Sequence, residues 1–312
     1  MSRAFVFPGQ GAQAIGMGRD LADAYPAARA VFDEVDSALR ENLSALIWSG
    51  EADDLMLTRN AQPALMATSI AALRALEFEG ITVAGHAAVV AGHSLGEYTA
   101  LVAAGSITLA DAARLLRIRG EAMQNAVPVG VGAMAALLGL DFEAAQSVAR
   151  EAAEGQVCQA ANDNDPGQVV VSGHREAVER ALVIARDKGA KRAMLLPVSA
   201  PFHCDLMEPA ARVMAEALDD VDIADPTVPL IANVTAQPVQ DATSIRSLLV
   251  DQVTGSVRWR ESVGRMVEMG VTEVWEIGAG KALSGMIRRI DKGVATRAIG
   301  TASDVADATA ST

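Results

Sequence analysis

Five consecutive residues, Gly92-His93-Ser94-Leu95-Gly96, constrain this chain more than any other feature. They fit G-x-S-x-G, with an apolar stretch, Ala87–Ala91, before them and a helical pattern after them. That context calls for a strand that turns sharply into a helix, because small residues must flank a serine whose backbone is crowded. The turn lifts the hydroxyl to the end of a sheet, beside the N-terminus of the next helix. There the N–H of the residue after the serine can face a developing oxyanion. A chance Gly-Ser-Gly turn is the alternative reading, and the flanking strand and helix favour the nucleophile.

The rest of the chain agrees with such a unit. Arg3–Phe7 reads as a short buried strand stopped by Pro8-Gly9, and helical patterns follow to about Phe78. This alternation predicts an α/β fold with a mostly parallel sheet. Residues from about 131 to 199 carry their own signature. Ala133–Leu140 reads as a strand, Asp141–Glu154 as a helix, and Gln156–Ala161 and Gln168–Ser172 as strands around an Asn-Asp-Asn-Asp-Pro-Gly turn. His174–Lys188 then reads as a helix and Ala193–Val198 as a strand. The order β-α-β-β-α-β is the ferredoxin-like pattern. The expected organisation is therefore a discontinuous large α/β domain, 1–130 and 200–300, interrupted by a small domain at 131–199. Strands are expected at Leu230–Val234 and Glu273–Ile277, and the small polar residues 301–312 are expected to fray.

A serine nucleophile needs a base, and the chain holds only four histidines. His86 lies at the start of the strand leading to the elbow, too far back at ~3.3 Å of rise per residue. His93 neighbours Ser94 and points away from it, which gives it a supporting role. His174 opens a helix of the small domain, where a surface role is expected. His203, in Ala200-Pro201-Phe202-His203-Cys204, remains as the base. It follows the nucleophile in chain order, as in other elbow enzymes.

Thr108 with Asp111 reads as a helix start, and Leu109, Ala112, Ala113, Leu116, Gly120 and Met123 form one stripe on that helix. Arg119 falls within about 60° of the stripe's centre and Arg114 almost opposite, while Leu115 and Ile118 lie off the stripe, a pattern that also fits a helix covered on both sides. A buried arginine requires an anion, either a protein carboxylate or a substrate carboxylate. Gly9-Gln10-Gly11-Ala12-Gln13-Ala14 formally fits the dinucleotide pattern but lacks the acidic residue at the end of a second strand. A turn supplying backbone donors to the site is the better reading. Cys204 beside His203 is not expected to be catalytic, since sequence neighbours rarely face each other.

Composition narrows the setting. A net charge of −13 speaks against nucleic-acid binding, and no apolar run reaches the ~18–20 residues of a membrane span. Two cysteines without metal or redox spacing point to a reducing, cytoplasmic compartment. Between Ile277 and Gly300, however, Lys281, Arg288, Arg289, Lys292 and Arg297 face only Asp291. Arg186–Arg192 forms a second basic cluster. Both fit either solvated helix faces or a docking surface for an acidic partner.

Taken together, these pieces resemble the malonyl-CoA:acyl carrier protein transacylases, the acyltransferase family of fatty-acid and polyketide synthesis. The resemblance rests on Phe7-Pro8-Gly9-Gln10-Gly11-Ala12-Gln13 and Gly92–Glu97, then on Arg119-Gly120 with Met123-Gln124, Gly132-Ala133-Met134, Ala161-Asn162-Asp163-Asn164 and Pro201-Phe202-His203. It runs from the first strand to about Ile290. It implies an α/β-hydrolase-like large domain with an inserted ferredoxin-like domain. It further implies acylation of Ser94, His203 as base, Arg119 on the malonyl carboxylate, and an oxyanion hole from the N–H groups of Gln10 and Leu95. Gln252 would orient His203 through its main-chain carbonyl, with no third carboxylate, and His93, Asn162 and Phe202 would support the site. Ser256 stands where the family usually has proline, which bears on local loop geometry. The implied reaction passes malonyl from CoA to the phosphopantetheine thiol of acyl carrier protein, with no metal or redox cofactor. The rivals are a serine hydrolase or thioesterase, a non-catalytic nucleotide-binding module, and the malonyl-transfer subunit of malonate decarboxylase.

Overall fold

The computed structural model describes residues 2–198 and 200–310. Among them, ten strands form two sheets: β1 (Ser2–Phe7), β2 (Val89–Gly92), β3 (Gly132–Leu138), β4 (Cys158–Asp165), β5 (Gln168–His174), β6 (Arg192–Leu195), β7 (Leu230–Ile231), β8 (Pro238–Val239), β9 (Val271–Ile277) and β10 (Ala295–Ile299). The larger sheet has the order β10-β9-β1-β2-β7-β8 and is parallel except for the short β7–β8 hairpin. Its central strand is buried on both faces, as a parallel sheet covered by helices must be. Phe5 and Phe7 enter one core, while Ala4 and Val6, pointing the other way, enter a second one beneath Trp259.

Register decides where chemistry can sit. Phe7 pairs with Gly92, so the loops after β1 and β2 leave the sheet side by side at its carboxyl edge. Open parallel sheets offer ligands a crevice at that edge. The segment after β7 emerges at the same end, since Val90 and Ala91 pair with Leu230 and Ile231.

The smaller sheet, β4-β5-β3-β6, is antiparallel throughout and built from residues 132–195. Its helices, Phe142–Ala153 and Arg175–Asp187, cover one face, where Ala135 and Leu137 meet Val148 and Val178 in a separate small core. Met134 and Val170 point from the other face into the main core. The fold is therefore α/β, an α/β-hydrolase-like body with a ferredoxin-like unit whose sheet roofs the carboxyl edge.

Several local expectations need correction. Residues 301–312 do not fray as a whole: Ala302–Thr309 is a helix, with Thr301 and Asp304 forming a capping box and Val305 and Ala308 buried. The short polar pattern hid a helix whose start is chemically well specified. Asn162 to Asp165, assigned to a turn, continue strand β4, leaving only Pro166-Gly167 as the turn. Two register shifts accommodate the run, and partners elsewhere hold its side chains: Asp163 pairs with Arg260 and Asp165 with Arg289. The strand expected at Ala193–Val198 ends at Leu195, and that at Leu230–Val234 ends at Ile231. His86 ends a short helix, Val83–His86, instead of opening the strand. Ser199, a boundary of the expected small domain, and Ser311 and Thr312 of the expected tail lie outside the described residues.

Candidate active site

The elbow is sharp. Ser94 holds φ 53° and ψ −111°, a conformation that costs of order 1–3 kcal/mol and survives only where its surroundings enforce it. Both flanking glycines are required by contact. A Cβ on Gly92 would lie 1.9 Å from the carbonyl of Gly96, and one on Gly96 would lie 2.3 Å from the Phe7 carbonyl oxygen. The helix Leu95–Ala103 begins immediately after Ser94.

His203 comes from the loop after β6, itself at a positive φ of 59°. Its Nε2 stands 2.8 Å from Ser94 Oγ, and its Nδ1 stands 2.9 Å and 3.1 Å from the carbonyls of Gln252 and Gly255. Two carbonyl acceptors require a proton on Nδ1, which leaves the Nε2 lone pair facing the serine hydroxyl. Burial, with Arg119 close by, pulls the imidazole down to about 3, so it is neutral and ready to accept a proton at any working pH. The other histidines are held elsewhere. His93 contacts Asn164 through Nε2 at 2.9 Å, and His174 accepts the Val157 N–H at 3.0 Å.

Arg119, on the helix Leu109–Asn125, is 1% exposed. It donates to Gln62 Oε1 at 2.9 Å, Gln252 Oε1 at 2.8 Å and Ser94 Oγ at 3.1 Å. Among the described residues no carboxylate lies within ion-pair distance of it, and its Nε has no hydrogen-bond partner. A charged guanidinium thus lies against the nucleophile, hydrogen-bonded only to neutral acceptors, with the Glu97 carboxylate acting on it from beyond ion-pair distance.

These residues share a cleft of about 480 Å³ between the two sheets. Gln10 and Leu95 line it on the side of the large domain, and Met134, Asn162 and Phe202 line it from the roof and the loop that follows. Leu95 occupies the first helical position, where backbone N–H groups lack intrahelical acceptors. Gly9 packs so closely on His93 that a Cβ would approach its carbonyl oxygen to 2.7 Å, which fixes the turn carrying Gln10. Cys204 is buried, bonded to the Pro201 carbonyl at 3.2 Å, and its thiol is pushed up to about 11 by burial. It is no nucleophile at neutral pH. Ser256 donates its hydroxyl to the Ala160 carbonyl, and Val257 N–H donates to Ala161 O at 2.9 Å, so this loop tethers β4 to the large domain without proline.

Sequence reasoning overlooked three residues. Asn233, just past β7, accepts the Ser94 N–H at 2.8 Å and donates to the Gly92 carbonyl at 2.7 Å, clasping the elbow from below. Gln62 anchors Arg119. Glu97, buried beneath the nucleophile, accepts from Gln252 Nε2 at 2.7 Å and from Asn233 N–H at 3.2 Å. Glu97 was legible in principle as a lone charge in an otherwise apolar helical stretch. Nothing near Asn233 or Gln62 in sequence marks either.

An acyl transferase domain model matches residues 4–307. The chain belongs to this acyl transferase family. A malonyl CoA-acyl carrier protein transacylase of Bacillus subtilis is 48% identical over 297 residues, covering 95% of this chain and 92% of that protein. Among solved structures, an acyl-carrier-protein-S-malonyltransferase from Bartonella henselae superposes with a TM-score of 0.97 at 55% identity, covering 100% of this chain and 99% of the other. A malonyl-transacylase solved in complex with a type II PKS acyl-carrier protein superposes with a TM-score of 0.97 at 42% identity over the whole of both chains. The resemblance carried by the motifs is thus borne out at the level of the family and over nearly the full length. The dinucleotide pattern at Gly9–Ala14 belongs, in this acyl transferase, to the turn that borders the nucleophile. No helix among the described residues is long and apolar enough to cross a membrane.

Proposed function

We propose that this acyl transferase moves malonyl from CoA to the phosphopantetheine thiol of acyl carrier protein through an ester on Ser94. The observation that carries the malonyl assignment is Arg119, a buried guanidinium 3.1 Å from Ser94 Oγ that no protein carboxylate pairs with. In a malonyl ester the free carboxylate carbon lies three bonds from Oγ, within reach of a group that already touches Oγ. The pair would be charge-assisted and able to form two parallel hydrogen bonds. A hydrolase or thioesterase has no need of such a cation beside its serine.

In the first half-reaction Ser94 Oγ attacks the thioester carbonyl carbon while its proton passes to His203 Nε2. The N–H groups of Gln10 and Leu95 face the oxyanion of the tetrahedral intermediate. Collapse breaks the C–S bond, and His203 returns the proton to the departing CoA sulfur. In the second half the carrier's thiol gives its proton to His203 and attacks the ester carbonyl. The C–Oγ bond then breaks and the proton returns to Ser94. The carbonyls of Gln252 and Gly255 hold the imidazole through Nδ1 in both halves. This chemistry draws on no metal or redox group, and CoA enters as part of the substrate. A cytoplasmic location accords with two free cysteines and CoA-bound substrate.

Intact-mass measurement tests the reading. Incubation with malonyl-CoA must add one malonyl group, acyl carrier protein must remove it, and Ser94→Ala must abolish the adduct. A folded Ser94→Ala protein that still gained the malonyl mass would refute the nucleophile. Discharge by the carrier of malonate decarboxylase but not by that of fatty-acid or polyketide synthesis would redirect the assignment.

A further inference from the structure

Glu97 takes no part in the steps above, and its placement calls for a reason. A glutamate in the first turn of a helix ordinarily reaches back to the N–H of the capping residue. Here that N–H, on Ser94, is already taken by Asn233, and the Glu97 carboxylate turns inward and is 1% exposed. Its Oε2 accepts from Gln252 Nε2 at 2.7 Å and from the Asn233 N–H at 3.2 Å. Gln252 Nε2 also donates to the Ser94 carbonyl at 3.0 Å, while Gln252 Oε1 accepts from Arg119 Nη2 at 2.8 Å.

The two ends of a glutamine amide have nearly the same shape, so only its partners decide which way it points. Turned over, the Gln252 oxygen would confront the Glu97 carboxylate and the Ser94 carbonyl, and its NH2 would confront the guanidinium. Every contact would be repulsive. We propose that Glu97 is a positioning residue: its carboxylate locks the Gln252 amide in the orientation that offers an oxygen to Arg119, and so holds the guanidinium over Ser94. The proposal rests on the reading of Arg119 as the ligand of the malonyl carboxylate and deepens it.

Protonation reverses the logic. A carboxylic acid can donate to Gln252 Oε1, which frees the amide to turn and presents NH2 to Arg119. Burial pushes the Glu97 carboxyl up to about 7, against the opposing pull of its hydrogen bonds with Gln252 and Asn233 and of the Arg119 charge. The charged or titratable groups facing it are Arg119 from the helix Leu109–Asn125 and Tyr98 from its own helix. The helix Ala242–Thr254 and the segment after β7 contribute only the neutral amides of Gln252 and Asn233.

The test compares kcat/KM for acylation by malonyl-CoA and acetyl-CoA in wild type, Glu97→Gln and Arg119→Ala, across the neutral pH range, with a thermal melt for each protein. Glu97→Gln should lose roughly 10- to 100-fold with malonyl-CoA, as expected for a lost hydrogen bond to a charged group, and clearly less with acetyl-CoA. In wild type, malonyl acylation should fall as pH drops through about 7, and this acid limb should vanish in Glu97→Gln. An equal loss with both donors, or an acid limb that persists in Glu97→Gln, would overturn the proposal. If Arg119→Ala keeps the malonyl preference, the carboxylate reading of Arg119 fails. If it flattens the preference and Glu97→Gln does not, only the Glu97 proposal fails. Should Glu97→Gln lack a cooperative melt, Gln252→Met decides, because it removes the amide and keeps the backbone carbonyl that holds His203. It must show the same selective loss and no acid limb, and equal loss with both donors overturns the proposal.

Discussion

Removing the Arg119 guanidinium should convert a selective transferase into an indifferent one. In the free enzyme this cation is buried and bonded to Gln62, Gln252 and Ser94, all neutral acceptors. Malonyl would supply an anion paired directly with the guanidinium, whereas acetyl leaves it desolvated without such a partner, Glu97 acting only from beyond ion-pair distance. Truncating one member of a buried charged pair costs about 2–5 kcal/mol. Three neutral hydrogen bonds already satisfy much of the guanidinium here, which places the cost for acetyl toward the low end, about 2 kcal/mol. Since ~1.4 kcal/mol is tenfold, wild type should prefer malonyl over acetyl by roughly 30-fold or more. Arg119→Ala should lower malonyl acylation by at least that factor and leave acetyl acylation equal or improved. Arg119→Lys should recover only part, because an ammonium cannot reproduce a planar fork that reaches Gln62, Gln252 and a carboxylate together. The assay is kcat/KM for Ser94 acylation from each thioester, by intact mass or CoA release. An alanine variant that loses both activities in the same ratio would show that Arg119 only supports the fold, and the malonyl argument would fall with it.

His203→Ala should reduce transfer by roughly the 10²–10⁴-fold expected for loss of a general base, and a loss of only a few-fold in steady-state rate would point to another base. The same histidine bears on acid stability. Its folded value of about 3 lies below the ordinary 6.5, so its contribution is present above pH 6.5 and is lost as pH falls toward 3. Replacing it with glutamine should flatten that part of the stability–pH curve in denaturant titrations, and an unchanged slope would contradict the assignment of a buried neutral imidazole. For carrier docking, the basic segment is smaller than its sequence implies, because Arg289 is paired with Asp165. Reversing Lys281 and Arg288 to Glu should raise KM for acyl carrier protein, most steeply at low salt, and spare acylation by malonyl-CoA. Equal damage to both half-reactions would exclude that surface.

What the chain's sequence determined by itself was whatever depends on short range. The elbow was readable because its G-x-S-x-G pattern is complete within five residues and Gly92 answers a steric demand made by Gly96 itself. The demand on Gly96, by contrast, comes from Phe7 and Pro8 at the end of β1. The order of strands and helices in the small domain followed from local periodicity, and with only four histidines, elimination reached the one whose Nε2 stands 2.8 Å from Ser94 Oγ. Arg119 was flagged as buried by its place on a helical stripe, but periodicity could not say which anion it awaits. Tertiary structure alone decided that no protein carboxylate pairs with it, and that Asn233, Gln62 and Glu97 stand beneath the site, since residues 25 to 158 positions apart converge there only when the sheet forms. It also decided that Asn162–Asp165 is strand, because the arginines neutralising Asp163 and Asp165 lie 97 and 124 residues away. Hydrophobic pattern and turn chemistry act over a few residues, so they leave marks that can be read in order. A buried hydrogen-bond network takes its partners from whichever strands and helices the sheet brings together, and no local pattern records that choice.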